Sequence, residues 1–357
     1  MLSNLEKMKK FGFSIQTVLF LAFFLNTTLT AETLSKNIIT VETDMHTSLI
    51  TSISADKNSK YFLTSSYDKT LRLWDTKDGR LLKVFRVPPP EDTKLYKTKI
   101  SPDGNHIAAL TSEGVYIFDS DNGEIIKRID LSVGYRIENY YYWFDIYYSE
   151  DSQNLAIYSL YDQTTKVYSA KNYEFIKKFN GKLFFSPSGD ILNFDGRKVI
   201  IYDSHLRVKR KIKFPSYPDH VSFSKDGNMI AFGYSSALNE KTHYIKIEIY
   251  STELKKVGTI SDKVNQELLH KLFWSSDGKT IYAVYGIVTF KNYSFNKILK
   301  IDTSNKKIIS TININNFGEV TDLVYLKDNK FAAVTNIPSI LIFDKDKTIL
   351  LKLNQRN

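Results

Sequence analysis

The chain has 357 residues, 42% hydrophobic and 25% charged, with 49 Lys and Arg against 39 Asp and Glu and a formal net charge of +10. That composition is globular and excludes both a disordered chain and a multi-span membrane protein. The lack of cysteine excludes a disulfide framework, a thiolate metal site, a cysteine nucleophile and a lipid-modified N-terminal cysteine.

The chain opens with Lys7, Lys9 and Lys10 ahead of an apolar run from Phe11 to Leu25, followed by the small and polar residues NTTLTAE. This is the grammar of a secretory signal, and the run falls short of the roughly 20 apolar residues that span a bilayer. Residues 1–31 are expected to be removed on export to a periplasm or the medium, and the alternative is an uncleaved N-terminal anchor. Removal takes three lysines and Glu6, which lowers the +10 by two to +8. The remaining excess is spread thinly, so no nucleic-acid partner and no stable membrane anchor are expected. Its densest point, RVKRKIK at 207–213, suits an outer strand whose charges discourage edge-to-edge pairing.

The rest of the chain repeats. From His46 to Phe85, four short apolar segments, LITSIS, KYFLTSS, TLRLWD and RLLKVF, are separated by polar turns and read as four strands. A turn of Ser-Pro-Asp-Gly type between the first two strands returns as SPDG at 101, SEDS at 149, SPSG at 186, SKDG at 224, SSDG at 275 and LKDN at 326, with DKNS at 56 as the first copy. The spacings, 37 to 51 residues, bracket the roughly 40–45 of a four-stranded propeller unit. The third strand of each copy ends in a bulky residue followed by Asp or Ser: Trp74, Phe118, Tyr168, Tyr202, Tyr250, Ile301 and Phe343. The expectation is an all-β fold, a single seven-bladed β-propeller of four-stranded antiparallel blades over residues 34–357. Its repeats start near 46, 93, 139, 181, 217, 267 and 319. Both 38–43 (IITVET) and 348–353 (TILLKL) qualify as the outer strand of the last blade, and both are expected to pair with it.

SSYDKTLRLWD at 65–75, with His46 before the first strand, resembles the WD-repeat family. The resemblance implies a structural bonding set of His46, Thr64, Asp68 and Trp74, in which the buried indole and imidazole find partners. The stretches ITVETDMHTSLITSISADKNSKYFLTSSYDKTLRLWD and FRVPPPEDTKLYKTKISPDG are also similar to propeller regions of bacterial exported proteins that elsewhere adjoin a caspase-like domain. That domain, and with it the peptidase activity, does not carry over to this cysteine-free chain.

No phosphate-binding Gly-rich loop, HExxH or Gly-x-Ser-x-Gly turn occurs. His106, His205, His220, His243 and His270 lack sequence-near partners at metal-ligand spacing, and the turn aspartates are explained by turn formation. No catalytic residue, metal or cofactor is therefore assigned. The expected role is a non-catalytic, monomeric binding scaffold for a protein or glycan partner; the alternative is a hydrolase or lactonase with a site gathered at the central channel. The candidate docking residues are Tyr140, Tyr141, Tyr142 and Trp143, in YYYWFDIYY at 140–148. Successive side chains of an extended segment alternate faces, so the three tyrosines cannot all point inward, and aromatic residues anchor interfaces. The competing reading packs all three as core, whereas Ile146 and Tyr148 are expected to be buried.

Overall fold

Short segments rich in β-branched and aromatic residues, closed off by Asp- and Gly-containing turns, have little choice but to pair with their neighbours. A computed structural model describes residues 45–88, 93–131, 144–214, 216–238, 242–265, 267–288, 293–314, 319–344 and 348–352, and all of these lie in one unit, Asp44–Asn357. Among them are 28 strands and no helix. The first run is β1 (Ile50–Ala55), β2 (Tyr61–Ser66), β3 (Thr70–Asp75) and β4 (Leu81–Arg86); the second is β5 (Leu95–Ile100), β6 (His106–Thr111), β7 (Gly114–Asp119) and β8 (Ile125–Ile129). The third is β9 (Phe144–Tyr148), β10 (Asn154–Ser159), β11 (Thr164–Ser169) and β12 (Phe175–Asn180); the fourth is β13 (Lys182–Phe185), β14 (Ile191–Asp195), β15 (Lys198–Tyr202) and β16 (Val208–Lys213). The fifth is β17 (His220–Phe223), β18 (Met229–Ala237), β19 (His243–Ser251) and β20 (Lys256–Val264). Each of these runs is a separate four-stranded sheet in chain order, antiparallel throughout.

The last eight strands depart from that rule. They are β21 (Glu267–Trp274), β22 (Thr280–Val288), β23 (Tyr293–Asp302), β24 (Lys307–Asn313), β25 (Val320–Tyr325), β26 (Phe331–Thr335), β27 (Ser339–Phe343) and β28 (Thr348–Lys352). They form one eight-stranded sheet, in which, among the described residues, β21–β24 and β25–β28 are joined where Phe295 pairs with Val320. β28 pairs along β27 from Ser339–Lys352 to Phe343–Thr348 and so supplies the outer strand from the C-terminal side. The other candidate, 38–43, lies outside the described residues.

The leading strands of the runs stand side by side around a common axis, β1 lying between β5 and β25, β5 also meeting β9, and β17 meeting β21. The core lies between successive runs. Leu63, Leu71 and Phe85 of the first run pack with Leu95, Ile107 and Phe118 of the second. The same layering continues around the axis until Met45, Ile50, Ile53 and Trp74 pack against Leu326, Ala332 and Ile340 of the last run. Each fully buried Leu, Ile or Phe contributes about 1.5–3 kcal/mol relative to an exposed one. No single run could hide both of its faces, which is why the runs fold only as a set.

The turns explain the cadence. Ser101 Oγ donates to Asp103 Oδ1 at 2.5 Å and accepts the His106 N–H at 2.9 Å. The same pair of bonds recurs at Ser149, Ser224 and Ser275. In the first run Asp56 takes the place of the serine and accepts the N–H groups of Asn58 at 2.9 Å and Tyr61 at 2.7 Å. The closing glycines sit at φ between 70° and 87° at 104, 189, 227 and 278, where a side chain is strained. Gly181 is needed for a second reason: a Cβ there would lie 1.7 Å from the Phe194 carbonyl oxygen.

Candidate functional site: a channel belt and an exposed upper face

Three arrangements of polar or exposed residues stand out. The first is the bonding set of the opening run. His46 Nδ1 lies 2.9 Å from Asp68 Oδ2 and His46 Nε2 lies 2.8 Å from Thr64 Oγ1. The Trp74 indole N–H donates to Thr64 Oγ1 at 2.9 Å, and Thr70 Oγ1 donates to Asp68 Oδ1 at 2.6 Å. The chain of bonds is self-consistent for a neutral imidazole carrying its proton on Nδ1, with the Thr64 hydroxyl donating to Nε2 and accepting from the indole. Burial lowers the His46 pKa, against the pull of Asp68. Burial pushes the Asp68 carboxyl up, but its hydrogen bonds to His46, Thr70 and the Thr47 N–H hold it well below the usual carboxylate range. His46 is 1% exposed and Thr64 fully buried. The set is thus a brace across β2 and β3, with no access for a substrate. In the other runs the position of Thr64 is taken by Ala109, Ile157, Asn193, Phe232, Ala283 and Ala333, counting from the turns, so only Asn193 can bond there, to the Asn180 carbonyl at 2.7 Å.

The second arrangement is a belt of polar residues on the innermost strands. The residues three before the turn position, Ile53, Thr98, Ile146, Leu183, Leu272 and Leu323, are almost wholly buried in every run but the fifth, where Val221 is half-buried. Strand alternation therefore turns the residues four before it toward the axis: Ser52, Lys97, Asp145, Lys182, His220, Lys271 and Asp322. These side chains stitch neighbouring runs together. Asp145 accepts from Lys97 Nζ at 3.2 Å, from Lys182 Nζ at 3.4 Å and from the Tyr147 hydroxyl at 2.6 Å. Lys271 Nζ donates to Asp322 and, at 2.8 Å, to the Leu323 carbonyl, and Asp322 Oδ2 accepts the Ile53 N–H of the first run at 3.0 Å. That last bond ties the end of the chain to its beginning.

The electrostatics of the belt leave little for acid–base work. Burial alone would raise the Asp145 pKa, but Lys97, Lys182 and Lys99 hold it well below the usual carboxylate range. Burial, with Lys182 and His270 adding repulsion, pulls His220 down to about 3, so it is neutral near pH 7 and its Nε2–H donates to the Leu269 carbonyl at 2.8 Å. Such a belt holds the runs together, with Asp145 and Asp322 each committed to lysine partners. Sequence reasoning missed it, although counting back four residues from each turn serine would have found it.

The third arrangement is a face. In an antiparallel meander the loops entering the leading strands and the turns between second and third strands lie on the same side, called here the upper face. Large apolar side chains are exposed there in several runs: Tyr67, Leu160, Tyr161, Tyr217, Leu238 and Ile337, with Tyr161 at 60% and Ile337 at 73%. Between the third and fourth runs this face opens into a cleft of about 450 Å³, walled by Tyr158, Leu160, Phe194 and Tyr217 with Asp162 and Asp195 among its polar residues. The Tyr217 ring stands edge-on to Phe194 at 5.7 Å. None of these residues was singled out from sequence. Tyr140, Tyr141, Tyr142 and Trp143 lie outside the described residues; the second half of their tract is β9, where Ile146 is fully buried and Tyr148 is 9% exposed.

Among the described residues, no group of three or more His, Asp or Glu is placed to hold a metal ion, and no helix is long and apolar enough to cross a membrane.

Comparison with known proteins adds four matches. The model of the WD domain, G-beta repeat, matches residues 38–75. Subunit I of eukaryotic translation initiation factor 3 from Saccharomyces cerevisiae is 34% identical over 67 residues, 19% of this chain and 18% of the relative. Human pre-mRNA-processing factor 17 is 27% identical over 96 residues, 25% of this chain and 15% of the relative. The chain thus matches less than a fifth of the length of either relative. Among solved structures, KlHsv2 with loop 6CD replaced by a Gly-Ser linker superposes with a TM-score of 0.62 at 14% identity, covering 87% of this chain and 98% of that one. At that identity the likeness is one of fold. With four-stranded antiparallel sheets set around an axis and this likeness of fold, the chain is a β-propeller that carries a WD repeat at residues 38–75.

Proposed function

We propose that this propeller is a non-catalytic scaffold that docks a protein partner on its upper face. In this reading β21–β24 and β25–β28 count as two blades bridged at one pair of residues, which makes the ring seven-bladed. The observation that carries the reading is the contrast between the two faces of its chemistry: the channel carboxylates Asp145 and Asp322 are committed to lysines, while large apolar side chains stand exposed around the upper cleft. Exposed aromatic and aliphatic residues are characteristic of interaction surfaces; among the described residues Tyr67, Leu160, Tyr161, Tyr217, Leu238 and Ile337 stand on the upper face, and the others line the outer strands. One relative is by name a subunit of a larger factor, which supports a role in assembly. Tyr140, Tyr141, Tyr142 and Trp143 immediately precede β9 and would extend the same face. Export after loss of residues 1–31, and action as a monomer on a protein or a glycan outside the cytoplasm, complete the proposal.

The test compares captured partners of the intact protein with those of Tyr161→Asp/Ile337→Asp on the upper face and Ile309→Asp on outer strand β24. A partner lost with the first variant and kept with the second supports the reading. A partner indifferent to both, or turnover of lactones or esters abolished by Asp145→Asn, would replace it with the channel-enzyme alternative.

A further inference from the structure

The belt leaves two kinds of hydrogen-bond donor unanswered at one place. Four lysines of the innermost strands, Lys97, Lys99, Lys182 and Lys271, stand against two aspartates. Lys97 and Lys182 share Asp145, and Lys271 holds Asp322. Lys99 is half-buried and two residues beyond Lys97, hence on the same side of β5. It has no ion pair or hydrogen bond among the described residues, and burial and the charge of Lys271 disfavour its ammonium more than Asp145 and Asp322 favour it. Directly beside it on β1, Ser52 and Ser54 are 5% and 4% exposed. Their oxygens accept the N–H groups of Thr98 at 3.4 Å and Ile100 at 3.2 Å, so each hydroxyl proton still needs an acceptor, and none is present among the described residues.

An ammonium without a counter-ion and a buried hydroxyl without an acceptor are each costly. One ligand type removes both costs, a small anion that accepts hydrogen bonds. We infer that the central channel binds a small oxyanion, a phosphate or a carboxylate, at the junction of β1 and β5, through the Lys99 ammonium and the Ser52 and Ser54 hydroxyls. Lys97 and Lys271 supply the surrounding positive potential without giving up their aspartates. The site is independent of the upper face and of whatever docks there.

The experiment measures the thermal midpoint of the full chain in inorganic phosphate, in succinate and in chloride at matched ionic strength. A saturable rise with one or both oxyanions over chloride is expected, and the anion giving the larger rise identifies the source as phosphate or carboxylate. Lys99→Met should abolish that rise and, because it removes an uncompensated charge, raise the midpoint in chloride. Ser54→Ala should weaken oxyanion binding at least threefold, and Lys211→Met on the exposed strand β16 should leave it unchanged. No rise over chloride, a rise that survives Lys99→Met, or a Lys99→Met protein that is less stable than the parent would each overturn the assignment.

Discussion

Trp74→Ala tests the brace in the opening run most sharply, because the structure separates its packing from its hydrogen bond. Trp74 is 2% exposed and stacks on Phe62 with centroids 6.0 Å apart and planes 8° from parallel. A buried indole of this kind removes about 200 Å² from water, and at about 25 cal/mol per Å² that is a ceiling of about 5 kcal/mol. Truncation also leaves Thr64 Oγ1 without the indole donor, although Thr64 keeps His46 at 2.8 Å. The expected loss is about 3–5 kcal/mol for Trp74→Ala and about 1 kcal/mol for Trp74→Phe, which keeps an aromatic plane on Phe62 but loses the N–H. Urea unfolding followed by circular dichroism and by a second, coincident probe supplies the two numbers. Equal midpoints for the two variants would show that the ring contributes nothing beyond its bond, and a parental midpoint for Trp74→Ala would show that the brace is not energetically connected to the fold.

Three further outcomes follow. Asp322→Ala, which removes the acceptor of both Lys271 and the Ile53 N–H, should cost about 2–4 kcal/mol in urea unfolding and loosen the β1–β25 junction in hydrogen exchange; protection equal to the parent at Ile53 would refute the closure role. His46, His220 and His270 have lowered values, His220 about 3 and His270 about 4, burial being the first cause of each. Below the unfolded histidine value of about 6.5 the unfolded chain binds protons that the folded chain does not, so stability should fall as pH drops from about 6.5 toward 4. A second loss should begin below about 4, where the unfolded chain protonates Asp68 and Asp145 while the fold still holds them ionised; a flat urea midpoint between pH 7 and 4.5 would contradict the buried neutral histidines. Intact mass of the protein from its native host should show a chain lacking Phe11 to Leu25, and a soluble chain that retains them would end the export proposal.

What the sequence made legible was what short-range chemistry controls. The Ser-to-Asp turn bonds close within five residues, so SPDG at 101 and SKDG at 224 announce the same turn wherever they stand. The WD-like blade was equally open, because His46, Thr64, Asp68 and Trp74 all lie in one run. The belt was hidden although its residues recur at a fixed offset, because Lys97 and Asp145 gain meaning only when neighbouring strands bring them to 3.2 Å. The exposed face was less legible still. Asn336 and Pro338 mark Ile337 as a turn residue and Ile340 as a strand residue, but not that the turn holds Ile337 exposed while Ile340 is buried three residues later. The joining of the last two runs through Phe295 and Val320 was not legible either, since strand length does not announce it: β18 and β19 of the fifth run, 9 residues each, belong to a separate four-stranded sheet.

The central claim is that partners dock on the upper face of a scaffold whose channel is structural. Its most direct test is cross-linking mass spectrometry of the intact protein with its captured partner, mapping every contact site onto the described residues. The account predicts cross-links and protection concentrated at the turns around Tyr67, Leu160–Tyr161, Leu238 and Ile337 and at the approach to β9. A footprint confined to the outer strands β8, β12, β16, β20 and β24, or to the opposite face carrying the Ser-to-Asp turns, would contradict it.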